Sequence, residues 1–209
     1  MRYYQGAFGG NISLDYLKEK APITLALIVI NLTIFIVINL FLGQERELIL
    51  WGGMAPIQFV LMSGEYWRFF TSMFIHSGIM HVIFNMIFLL HAGGYIEPYI
   101  GRKNFIAFYL LSGLLVSLCA GIFTNAISVG ASGAVFALLG FLLYFDLQAR
   151  RSGQPTNSII LPLVVINMII TVLIPNISLV GHLSGLIIGF LYGAYRWNKS
   201  QQERRGAFG

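Results

Sequence analysis

Gly130-Ala131-Ser132-Gly133-Ala134-Val135-Phe136-Ala137-Leu138-Leu139-Gly140 continues without a charge through Phe145 and meets its first charged group at Asp146. A lone serine heads this apolar run, among residues small enough to let another helix approach closely. Two readings of Ser132 are open from the stretch alone: a small residue in a helix-packing surface, or a nucleophile at the head of a helix. The run itself is the decisive feature, because its neighbours repeat it. Similar uncharged apolar stretches cover Pro22–Leu42, Phe74–Ile96, Phe105–Phe123, Ile159–Ile174 and Gly181–Tyr195. Most approach the ~20 residues that a spanning helix needs.

The remaining composition agrees. The 209 residues are 57% hydrophobic and only 10% charged, with a mean hydropathy of +0.77, values foreign to a soluble domain of this size. The sequence therefore predicts an all-α membrane protein of six transmembrane helices over residues 21–196, with tails at 1–20 and 197–209. Leu14–Lys20 reads as a short amphipathic piece within the first tail. Of the 13 Lys and Arg, 11 fall on one side of the predicted spans (Arg2, Lys18, Lys20, Arg102, Lys103, Arg150, Arg151, Arg196, Lys199, Arg204, Arg205) and 2 on the other (Arg46, Arg68). Positive residues in short connections stay in the cytoplasm, so both termini are expected there. The net charge of +5 then reports topology and attraction to anionic lipid, and calls for no nucleic-acid partner. The first apolar run is too long for a signal-peptide core and lacks a small-residue cleavage site, so it is expected to be a retained helix. Cys119, the single cysteine, offers neither a disulfide framework nor a thiolate metal site.

Gly43–Met73 is the one long connection, and Trp51, Phe59, Tyr66, Trp67, Phe69 and Phe70 lie in it. Aromatic rings favour the headgroup level, so this loop is expected to lie partly in the outer interface. Gly181, Gly185, Gly189 and Gly193 fall four apart, making a flat strip on a helix whose natural partner is the face of Gly133, Ala137 and Gly140.

Asp and Glu are missing from the interior of every predicted span, Glu97 and Asp146 standing at cytoplasmic ends. Paired-carboxylate chemistry is thereby excluded, as is the usual zinc-protease arrangement, for which no H-E-x-x-H occurs. His76, His81, Asn85, Ser132 and His182 remain. Ser132 is 14 residues from Asp146 and His182 is 14 from Arg196, each about 21 Å of helical rise. Asn85 and His81 are 12 and 16 residues from Glu97, or about 18 and 24 Å. Four polar side chains from three helices thus share one depth. A serine needs a base to become a nucleophile, and His182 is the one at its level. His81, Asn85 and the Ser132 amide can donate to a developing oxyanion. With no third acid to orient His182, the set would be a dyad, suited to cutting a peptide bond where water is restricted. Ser184 reads as a hydrogen-bonding helix residue.

In order and spacing these residues resemble the rhomboid family of intramembrane serine proteases. The resemblance is carried by "WR" at Trp67-Arg68, "HSGIMHVIFN" from His76 to Asn85, "GGYIE" from Gly93 to Glu97, "GASG" around Ser132, and "GHLSG" with its glycine strip. It implies a six-helix rhomboid-like bundle with Ser132 as nucleophile and His182 as general base. His81 and Asn85 would join backbone amides in the oxyanion hole, with Gly130 and His76 in supporting places. Phe136 would stack on His182, where many members carry Tyr; phenylalanine keeps the ring and loses the hydroxyl. The loop with Trp67 and Arg68 would be the membrane-embedded first loop, and Pro175–Val180 a cap over the site. The implied substrates are single-span membrane proteins, the location a cell membrane, and neither metal nor other cofactor is needed. Substrate is expected to enter past the fifth helix, since Ile159–Ile174 has no Gly, Ala or Ser with which to pack closely. An inactive relative that binds transmembrane helices is a second reading, against which the presence of both Ser132 and His182 counts. A small transporter or channel is a third, and would show repeats, broken helices or buried charges. The sequence assigns no oligomeric state.

Overall fold

Glycines and prolines set the boundaries of the helices, and a buried carboxylate ties the first of the long ones into place. The computed structural model describes residues 12–153, 159–175 and 177–206, side chains at 40–42 and 204–206 excepted. Arg2, Asn176 of the expected cap and the last three residues of the expected C-terminal tail lie outside them. Helix α1 (Leu14–Lys20) is capped by Ser13, whose hydroxyl accepts from Tyr16 N–H. Helix α2 (Pro22–Ile36) opens on a proline, which has no amide to leave unpaired. Its next two amides, of Ile23 and Thr24, donate to the Glu97 carboxylate at 3.0 and 2.8 Å, and Thr24 Oγ1 adds a third bond at 2.8 Å. Glu97 is fully buried. A side chain expected merely to end a span is in fact the N-terminal cap of another helix, where a carboxylate also meets the positive end of the dipole. A π-helical segment (Val37–Leu42) continues α2 to Gly43, whose φ of +61° ends it.

The long connection is not simply a loop. It folds into α3 (Glu45–Gly52), α4 (Ile57–Ser63) and the single turn α5 (Arg68–Thr71) around a small core of Met54, Ala55 and Val60, with Ile57 and Phe69 against it. Arg68, only 4% exposed, organises it: Nη1 donates to Gly53 O at 2.7 Å, Glu65 pairs with the guanidinium, and the Phe59 ring lies beneath at 5.4 Å. Trp51, Phe59, Tyr66, Trp67 and Phe70 are exposed, and Met62 is 89% exposed. An antiparallel pairing of Met54 with Ser128 fastens this unit to the turn before α8, with N···O distances of 2.8 and 2.9 Å.

Helix α6 (Ile79–Ile100) starts five residues later than the apolar run at Phe74, because Gly78 adopts φ +84°, and it runs on to Gly101, also at φ +84°. Pro98 within its last turn cannot donate to the carbonyl of Gly94. The hydroxyl of Tyr16 on α1 donates there instead, at 3.2 Å. Helices α7 (Arg102–Phe123), α8 (Ser132–Arg151), α9 (Ile160–Leu173) and α10 (Leu179–Gly206) follow. The last stays helical beyond residue 196, where the predicted span ends. Among the described residues, four helices are long and apolar enough to cross a membrane: α2 with its continuation to Asn39, α6, α7 and α8. Helix α9 is apolar but has 14 residues, about 21 Å.

Helix α8 is the centre, touched by α6, α7, α9 and above all α10. Most of its side chains from Gly133 to Leu142 are buried. The expected glycine seam is there. Gly185 lies against the carbonyl of Gly133, Gly189 against that of Ala137, and Gly140 against that of Leu186, each so closely that a Cβ would overlap the facing backbone. Two backbones in direct contact gain dispersion and leave no void between them. This seam sets the first turn of α10 beside the first turn of α8.

Candidate active site

Ser132 is the first residue of α8, and the turn before it is made by Gly130 at φ +118°, a conformation that strains any residue with a Cβ. Two bonds hold that turn. Gly130 N–H donates to Ser72 O at 2.8 Å, and Ala131 N–H donates to His76 Nε2 at 3.3 Å. His76 lies in the segment preceding α6 and is buried, so the ring acts on the backbone beside the serine. Among the described residues no side chain caps α8, so its first-turn amides, beginning with Ser132, form a ready place for negative charge.

His81 and Asn85 come from one face of α6. A Cβ on Gly130 would stand 2.6 Å from His81 Nε2 and 3.7 Å from Ser132 Oγ, which places the imidazole and the hydroxyl beside the same glycine. His81 Nδ1 is 3.2 Å from Ser77 Oγ, and its ring meets that of His76 edge-on at 5.1 Å. If the Ser77 hydroxyl is the donor, Nδ1 accepts and the proton of the neutral ring is on Nε2. Asn85 is buried and spends one amide hydrogen on His81 O at 2.8 Å, leaving the other.

His182 stands in the first turn of α10, which Ser178 caps by accepting from Gly181 N–H at 3.0 Å. The Phe136 ring stacks on the imidazole with centroids 4.0 Å apart and planes 14° from parallel. Phe136 is one helical turn beyond Ser132 and on the same face of α8. Among the described residues no hydrogen bond joins Ser132 to His182. The bond that His182 does make is to Thr171 Oγ1 of α9, at 2.7 Å from Nδ1. Ser184 turns back onto its own helix, donating to Val180 O at 2.6 Å.

The structure therefore brings His76 and His81 to the turn of Gly130 that precedes Ser132, and Phe136 of α8 against His182, while Asn85 lies one turn further along α6 with its amide on His81 O and Ser184 is turned onto its own helix. Thr171 was not among the residues singled out from the sequence. The available signal was weak: Asn167 and Thr171 are polar at i and i+4 in an otherwise apolar helix, and only the contact with His182 distinguishes that pair from ordinary back-bonding to the helix. Among the described residues no three His, Cys, Asp or Glu side chains cluster as metal ligands would.

A profile described as the Rhomboid domain matches residues 63–199. Rhomboid protease GluP of Bacillus subtilis is 32% identical over 176 residues, which cover 84% of this chain and 35% of that protein. RHOMBOID-like protein 1 of Arabidopsis thaliana is 34% identical over 147 residues, 68% of this chain and 37% of that one. Rhomboid protease GlpG of Klebsiella pneumoniae is 32% identical over 138 residues, 65% of this chain and 47% of that one. The chain thus spans between about a third and a half of the length of these curated relatives. The match runs from the α4–α5 turn into α10 and takes in every residue of the site just described, and on that ground the chain is an integral membrane protein that belongs to the rhomboid family.

Proposed function

We propose that this protein is an intramembrane serine endopeptidase that cuts transmembrane segments of membrane proteins, with Ser132 as nucleophile and His182 as general base. The observation that carries the reading is the juxtaposition of the first turns of α8 and α10, with Phe136 against the His182 ring. In the proposed reaction His182 Nε2 takes the Ser132 proton as Oγ attacks the scissile carbonyl carbon. The oxyanion accepts from the Ser132 amide, the free amide hydrogen of Asn85 and His81 Nε2–H. The imidazolium then gives its proton to the leaving amine, and a water, deprotonated by the same ring, hydrolyses the acyl-enzyme. Gly130 and His76 keep the turn before Ser132 in shape, and no cofactor takes part.

The proposal extends to topology and location. Helices α2 and α6–α10 would be six spans of one domain over residues 21–196, with both ends in the cytoplasm and the protein in a cell membrane. The one-sided distribution of Lys and Arg supports that orientation. The exposed aromatic side chains of α3–α5 support an outer interface on the opposite side. The substrates would be single-span proteins presented within the bilayer.

Purified protein in detergent or liposomes, mixed with a model single-span substrate, tests the reading. Wild type should cleave, whereas Ser132→Ala and His182→Ala should each lose cleavage while keeping the wild-type melting temperature. Cleavage by Ser132→Ala at the wild-type rate would overturn the assignment. A wild type that binds the substrate and leaves it whole would favour a helix-binding relative.

A further inference from the structure

We propose that Thr171 is a positioning residue for the base: its hydroxyl accepts from His182 Nδ1–H and so fixes the tautomer whose Nε2 is free to take a proton. This rests on the protease reading above. Thr171 Oγ1 has two close neighbours, the carbonyl oxygen of Asn167 at 2.7 Å and His182 Nδ1 at 2.7 Å. A carbonyl can only accept, and a hydroxyl has a single hydrogen. That hydrogen goes to Asn167 O, so Nδ1 must be the donor in the second bond. A neutral imidazole carries one N–H; with it on Nδ1, the lone pair is on Nε2.

The reverse arrangement would set two acceptors facing each other at 2.7 Å, with one hydrogen between three heavy atoms. Thr171 is 4% exposed, so water is poorly able to replace its hydroxyl, and a donor left there without a partner is costly. The described carboxylates nearest to the bundle interior are engaged elsewhere, Glu97 on the start of α2 and Asp146 with Arg150. Serine hydrolases with a carboxylate at this place use it to hold the tautomer and orientation of the histidine. Here a neutral relay, Nδ1–H to hydroxyl to backbone carbonyl, does the orienting without burying a charge. The base is on α10 and the hydroxyl on α9. The two are joined by a bond between helices that neither helix's own sequence pattern reveals.

Three variants and one spectrum test the proposal. Thr171→Val keeps the shape and removes the hydroxyl; its kcat should fall by about 10- to 100-fold, the scale of leaving a buried donor unpaired, with KM and melting temperature close to wild type. Thr171→Ser keeps the hydroxyl and should recover most of the rate. Thr171→Ala gives the same comparison if valine is not accommodated. Independently of activity, 15N spectra of histidine-labelled protein, with the His182 signal identified by its loss in His182→Ala, should show an Nδ1–H ring in wild type and a mixture of tautomers in Thr171→Val. Wild-type kcat in Thr171→Val, equal losses in the Ser and Val variants, or an Nε2–H ring in wild type would each overturn the assignment. A wild type that neither cleaves nor reacts at Ser132 with a fluorophosphonate would sink the protease reading instead, while the spectrum would still report on the tautomer.

Discussion

Gly130 meets two demands that no other residue satisfies together. Its φ of +118° is open to glycine alone at low cost, and the space where a Cβ would project is filled by His81 Nε2 at 2.6 Å. Gly130→Ala is therefore expected to twist the turn that delivers Ser132 and to push the imidazole aside in one step. Strain of this kind costs about 1–3 kcal/mol, too little to unfold the bundle and enough to misplace His81, the proposed oxyanion donor. We expect folded protein with cleavage reduced by about 10² or more. A melting curve and a steady-state assay on the same preparation check it, and wild-type cleavage would show that the turn tolerates a side chain. Ser132 was legible in the sequence by its depth, counted along a helix from Asp146, whereas the stacking of Phe136 on His182 was implied by the family resemblance alone. The role of His76 was legible only as nearness: that it accepts from Ala131 N–H depends on a non-helical stretch whose path local pattern does not encode.

At the scale of elements, the α8–α10 seam could be read in advance and the α3–α5 unit could not. A glycine every fourth residue has one common physical use in hydrocarbon, close backbone approach, and the seam follows it through Gly185 and Gly189. The short helices α3, α4 and α5, of 8, 7 and 4 residues, are too brief to show a period. Their fold is held by long-range groups such as Arg68 on Gly53 O. The start of α6 differs from the expected one for a related reason: the run from Phe74 carries no Lys, Arg, Asp or Glu to mark a boundary, and its sequence does not reveal that Gly78 takes the positive φ after which the helix begins. Gly189→Leu tests the seam. A side chain there would overlap the Ala137 carbonyl, so α10 must shift from α8, and overpacking of this sort costs about 1–3 kcal/mol or more. The expected outcome is a lowered melting temperature together with lost cleavage, since the same displacement carries His182 away from Ser132. A variant with both properties unchanged would mean that the helices separate more easily than their contact suggests.

In the whole molecule, as far as the described residues show, the least held of the apolar helices is α9. It leans on α8 and α10, buries Ile160, Val164 and Thr171, and leaves Val165, Ile166, Ile169, Val172 and Leu173 exposed, the last at 73%. Elements that move are drawn from those with few buried contacts. In the proposed protease a transmembrane substrate passes between α6 and α9. Cysteines on the halves of α6 and α9 nearest the site, in a chain with Cys119 replaced by Ala, should on cross-linking slow cleavage of a transmembrane substrate, with reduction restoring it. A short soluble peptide should be affected less. Full transmembrane cleavage after verified cross-linking would place the passage elsewhere.

The α8–α10 seam also bears on how such a chain can change over generations. Where two side chains meet, a larger residue on one helix can be answered by a smaller one on the other, and the pair can drift together. At Gly189 against Ala137 O, and at Gly140 against Leu186 O, the facing partner is a main-chain carbonyl, which every amino acid shares and no substitution can trim. Compensation is closed off there, so descendants must keep the residue or lose the joint. The outward residues of α9 face no such partner and are free to diverge. In the proposed protease the chain thus couples a frozen joint, which would keep Ser132 and His182 in register, to a freely varying flank along which new substrates could be sampled.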